Sequence, residues 1–124
     1  MSDNMLILEH EILCSDEDQI VADYLSVGYN NAFCLVVYIE SHHAETGNKK
    51  YTIAAFVEKE DAYSLAHRLN TSMKELPAII AEAFDYNLIN ASRRQVNDTF
   101  KEIVEYLCDN KCPYKIVQSP RSLD

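Results

Sequence analysis

Phe33-Cys34-Leu35-Val36-Val37-Tyr38-Ile39-Glu40 is the stretch on which the fold turns. It is apolar at odd and even positions alike and rich in β-branched and aromatic residues. That is the pattern of a central strand covered on both faces. A polar connection, Ser41 to Lys50, follows it, and Gly47-Asn48 within it gives the backbone an easy reversal. Tyr51 to Glu58 then returns, so the pair reads as an antiparallel hairpin with a long tip. Tyr38 and Tyr51 are expected near one another across it. After Glu58 the apolar period changes from strand to helix: Ala62, Leu65, Ala66 and Leu69 share one face. Glu60 and Asp61 suit the positive end of that helix, and His67 and Arg68 the negative end.

Working outward, Met5–Cys14 alternates well enough for a strand. Ser15–Val27 has two readings. Ser15 with Asp18 resembles a capping box, and Ile20, Val21, Tyr24 and Leu25 would form a helical stripe ended by Gly28. The rival makes Ser15–Asp18 a turn, with Gln19–Val27 returning as a strand. The helix is preferred. Asn30-Asn31 marks a turn before the central strand. Towards the C-terminus, Leu76-Pro77 restarts a helix, because proline is tolerated at the first helical positions. Ser92 and Gln95 form a second capping-box candidate ahead of Val96, Phe100, Ile103, Val104 and Leu107. Tyr114–Val117 reads as a short edge strand, and Gln118–Asp124 as a frayed tail.

The expected fold is therefore α+β: an antiparallel sheet of three or four strands with three C-terminal helices, 60–70, 77–86 and 93–109, packed mainly on one face. A single domain is expected over 1–117, with a flexible tail over 118–124, since 124 residues suffice for one core and no linker divides them. A central strand apolar on both sides leaves one face to be covered, and homodimerisation through the sheet is the expected answer.

Composition narrows the function. Lys and Arg number 11 against 20 Asp and Glu, a formal charge of -9. That balance repels phosphate backbones and anionic bilayers, so neither nucleic acid nor membrane is an expected partner. It favours solubility and a basic protein partner. The acidic start Met1-Ser2-Asp3-Asn4 is unlike a signal peptide, and a cytoplasmic location is expected. Only two glycines occur, Gly28 and Gly47, so neither a phosphate-cradling loop nor a Gly-rich dinucleotide turn can be written. The nucleophile elbow is absent for the same reason. No cofactor is implied.

The remaining leads are clusters. His42, His43 and Glu45 on the hairpin tip are a candidate metal site, although neighbouring histidines on a strand point opposite ways and would need a turn there. Two solvated loop histidines are the preferred explanation. His10 and His67 are candidate ligand-binding residues if the fold brings them together. Structural roles on a strand and at a helix end are the alternative. Cys108 and Cys112 lack the redox CxxC spacing, so Cys108 is expected in the core, Cys112 in the helix stop, and Cys34 as a packed, inert thiol. Eight tyrosines and no tryptophan suit an interaction surface or a core. The functional expectation is a non-enzymatic protein-binding or regulatory module acting as a homodimer. A small-molecule or metal-binding domain is the alternative, and an acidic inhibitor or immunity-type protein a further one.

Overall fold

A computed structural model describes residues 7–15, 21–43, 49–85 and 91–120. Strands β1 (Ile7–Cys14), β2 (Val21–Tyr29), β3 (Leu35–His43) and β4 (Lys49–Val57) come first. Helices α1 (Lys59–Arg68), α2 (Leu76–Ala83) and α3 (Arg93–Asp109) follow, and β5 (Lys115–Pro120) closes the order. The strands form one antiparallel five-stranded sheet in the order β1-β2-β3-β4-β5. The fold is α+β, as expected, but the sheet has five strands rather than three or four. The helices are not strictly C-terminal, because β5 follows them and returns to the edge beside β4. The boundary expected at residue 117 falls inside β5, and residues 121–124 lie outside those described.

The fifth strand comes from Ser15–Val27, where the preferred helix is wrong from Val21 onward. The capping box expected at Ser15 and Asp18 runs outside the described residues, but Ser15 itself is tied to β2. Its N–H donates to the Asp23 carbonyl at 2.9 Å, and its hydroxyl accepts from the Asp23 N–H at 2.8 Å. Once β2 pairs with β3, Leu25, Val27 and Tyr29 fall on one face and Tyr24, Ser26 and Gly28 on the other. Gly28 sits in the strand opposite Val36 rather than ending a helix.

Odd-numbered residues of the inner strands build the core. Leu25, Val27, Leu35, Val37, Ile39, Ala55 and Val57 are sealed from water. Leu65 of α1, Leu76 and Ile80 of α2, and Val96, Ile103 and Leu107 of α3 pack into the same cluster. The helical layer therefore lies on one side of the sheet. Each helix begins where its sequence tells it to. Pro77 occupies the first turn of α2. The Ser92 hydroxyl accepts from the Gln95 N–H at 3.0 Å, and the Gln95 side chain accepts from the Ser92 N–H at 2.7 Å.

Two tethers fix the layer to the sheet. Asp23, fully buried on the helix side, accepts from the Ser41 hydroxyl at 2.5 Å, the Arg93 guanidinium at 3.1 Å and the Asn97 amide at 3.2 Å. The sheet thus holds the first turns of α3 through a charge. The Tyr29 hydroxyl donates to the Met73 carbonyl at 2.6 Å and pins the α1–α2 connection. Burial pushes the Tyr29 phenol up to about 12.

Candidate functional site

Even-numbered positions of β3 project to the other face of the sheet, where no buried residue of the helical core lies. The expectation that this face is covered is not met by any helix among the described residues. Val36, Ala22 and Ala54 are nonetheless 4–5% exposed. Phe56 stands opposite Val36, His42 opposite Ala22 and Tyr38 opposite Ala54. Around this floor stand the half-buried side chains of Tyr24, Tyr38, Glu40, His42 and Phe56.

These side chains are held in place. The Tyr38 hydroxyl donates to Glu9 Oε2 of the edge strand at 3.0 Å. His42 Nε2 lies 2.9 Å from Glu40 Oε1 two residues away, which is the next position on the same face. The Tyr24 and His42 rings meet edge to face with centroids 5.3 Å apart. The Tyr38 phenol is held well above the usual tyrosine range, first by burial and then by the Glu9 and Glu40 charges. Two carboxylates thus set a negative potential over the middle of an aromatic sheet face.

The other predicted clusters fare differently. His42 and His43 are consecutive strand residues with no turn between them, and Glu45 lies outside the described residues. Among the described residues no group of three His, Cys, Asp or Glu side chains is placed to hold a metal ion. His10, opposite Val27 on β1, is exposed, and His67 sits in the last turn of α1. No hydrogen bond joins them. His67 lines an open groove of about 610 Å³ with Tyr63, Asn70, Thr71, Ser72 and Lys74. No carboxylate lines that groove, so nothing there orients the imidazole as a base. Of the two C-terminal thiols, Cys108 is exposed rather than in the core, while Cys112 lies in the helix stop, as expected, and is buried there. Lys111, at φ 57°, turns the chain so that the Cys112 N–H bonds the Leu107 carbonyl and its side chain faces the core. Burial pushes the Cys112 thiol up to about 11. Cys34 precedes β3 and is half-buried, lining a cavity of about 240 Å³ with Phe56 and Tyr114. Tyr38 pairs with Ala54, and Tyr51 with Ser41, so the two tyrosines are not opposite one another in the register.

Sequence reasoning missed Glu9 and Glu40 as members of one site. The alternation of β3 was visible, but the reach of Glu9 from the edge strand to Tyr38 depends on pairing across three strands. No helix among the described residues is long and apolar enough to cross a membrane. The chain matches no protein-family model, no curated protein and no solved structure.

Proposed function

We propose that the chain is a non-enzymatic protein-binding module whose helix-free sheet face takes a basic segment of a partner protein. The observation that supports it is the pairing of three aromatic rings, Tyr24, Tyr38 and Phe56, with the Glu9 and Glu40 carboxylates on that face. Arginine and lysine side chains fit such a surface, because rings attract a cation over their faces and carboxylates accept its hydrogen bonds. The overall charge of -9 steers a basic partner towards it. An acidic inhibitor is the special case in which the basic segment lines an enzyme's active site. Face-to-face pairing of two copies fits less well, since a twofold contact there brings Glu9 and Glu40 of both chains together.

The test is an NMR titration with an oligo-arginine peptide, with oligo-glutamate as control. Shifts confined to Tyr24, Tyr38, Phe56 and their strand neighbours are expected. Glu9→Lys with Glu40→Lys should weaken binding by about tenfold or more. Shifts spread evenly over the acidic surface, or an undiminished affinity in the double variant, would overturn the reading.

A further inference from the structure

We infer that the groove at the C-terminal end of α1 is a binding site for a small phosphate monoester with an aromatic body. The groove holds about 610 Å³, within the range of small-molecule sites. The chain has 20 Asp and Glu against 11 Lys and Arg, yet no carboxylate stands among the residues lining it. Its polar walls are Lys74, His67, Asn70 and Ser72. Among the described residues no carboxylate pairs with the Lys74 ammonium or the His67 ring. Glu75 accepts from the Thr71 hydroxyl at 3.5 Å and is outside the lining. Arg68 is engaged with the Asn110 carbonyl at 2.6 Å. A cation left unpaired in so acidic a chain is open to an anion from outside.

The groove is built by the backbone. Asn70, at φ 62°, turns the chain as α1 ends. Its N–H bonds the His67 carbonyl at 3.1 Å, and the Thr71 N–H bonds the Ala66 carbonyl at 2.9 Å. Ala66 is buried, and Met73 is held through its carbonyl by the Tyr29 hydroxyl. The Ser72 hydroxyl accepts from the Glu75 N–H at 3.2 Å, which leaves its own proton to donate. His67 has a ring N–H to donate whether neutral or charged. Four donors, one of them a full charge, thus line one groove.

Phosphate matches this set better than a carboxylate. A monoester carries about two charges near neutral pH and three terminal oxygens, whereas a carboxylate has one charge and two oxygens. The body of the ligand is set by a second cavity of about 370 Å³, which shares Tyr63 and Met73 with the groove. Tyr63 is 66% exposed, so its ring is open to stacking, and the Met73 thioether adds a polarizable contact. Glu60 lines this second cavity and repels a phosphate there. It therefore fixes the direction of the ligand, phosphate towards Lys74 and His67, ring over Tyr63. The chain's charge of -9 opposes an anion at long range. Exposed charges are screened beyond about 8 Å at physiological salt, so the groups in the groove decide.

Phenyl phosphate is the probe, titrated into the isotope-labelled full chain and followed by NMR. Inorganic phosphate, benzoate, benzylamine and a phosphotyrosine peptide are the comparisons. Saturable shifts confined to residues 63–74 are expected with phenyl phosphate, weaker binding with inorganic phosphate and benzoate, and none with benzylamine. Lys74→Glu should weaken phenyl phosphate by about tenfold or more. Tyr63→Ala should weaken it by about threefold or more and leave inorganic phosphate unchanged. Both side chains are exposed, so circular dichroism should show the fold intact in each variant. The absence of a saturable shift, shifts spread over the chain's other cations, or an undiminished affinity in Lys74→Glu would each overturn the inference. Equal binding of inorganic phosphate, benzoate or benzylamine would overturn it too. A phosphotyrosine peptide that binds about tenfold tighter than phenyl phosphate would overturn it in favour of a protein partner. This titration and the oligo-arginine one are read at different residues, so either can fail without the other.

Discussion

Val36 and Val37 are neighbours in β3 with the same side chain, yet they belong to different parts of the molecule. Val37 is sealed within the single core shared with the three helices, whereas Val36 lies outside that core on the helix-free face. The two faces also hold their ion pairs differently. Asp23 and Arg93 meet with the carboxylate fully buried, and Glu40 and His42 meet where both side chains keep some contact with water. One face spends its polar groups on holding helices in place. The other arrays half-buried aromatic and acidic side chains outside the helical core.

The largest effect expected from breaking this contrast is at Asp23. Asp23→Ala removes the acceptor shared by Ser41, Arg93 and Asn97 and should cost about 3 kcal/mol of stability, read from the urea midpoint. A loss under about 1 kcal/mol would mean that α3 is held by packing alone. Next comes the valine pair. Val37→Ala should cost about 2 kcal/mol and Val36→Ala about 1 kcal/mol or less, since only the first opens a cavity in the core. Equal losses would erase the distinction between the faces.

Tyr29→Phe should cost about 1 kcal/mol, the net worth of its bond to the Met73 carbonyl. It should also change the alkaline limb of stability. The folded state raises the phenol from 10.0 to about 12 and so binds the proton more tightly than the unfolded chain. That stabilisation is complete below pH 10 and disappears as pH rises towards 12. Denaturation curves across this window should fall less steeply in Tyr29→Phe than in the parent chain. The smallest effect is expected on the other face. Glu40→Gln should leave stability within about 0.5 kcal/mol, because glutamine keeps the size of the side chain and its carbonyl can accept the same hydrogen bond from His42. It should still weaken oligo-arginine binding, and a variant that lost stability instead would make the Glu40–His42 pair structural.

The hairpin of β3 and β4, the helix at Ala62 to Ala66, the proline start of α2 and the Ser92–Gln95 capping box are all readable locally. Each rests on residues within a turn or two of one another, and local spacing carries that information. β2 was misread because Ile20, Val21, Tyr24 and Leu25 fit a helical stripe in sequence, while the groups that satisfy Asp23 in a strand lie at Ser41, Arg93 and Asn97. Nothing in the neighbouring sequence announces partners that far away. The burial of Cys112 was missed for a similar reason: the left-handed turn at Lys111 swings it inward after the helical period has ended. Of the candidate site, His42 was noticed for metal binding, and its pairing with Glu40 and Tyr24 was not.

The sequence by itself determined an acidic α+β chain with a central apolar strand, an adjoining hairpin partner and three helices at their proper places. Periodicity and capping are properties of contiguous residues, so they survive without coordinates. Tertiary structure decided that the helices share one side of five strands and that Glu9 reaches Tyr38 across the sheet. It also decided that β5 ends the sheet as a regular edge while β1 ends it as a bulged one. Those outcomes depend on which strands pair and in what register, and register is set by contacts summed over the whole fold.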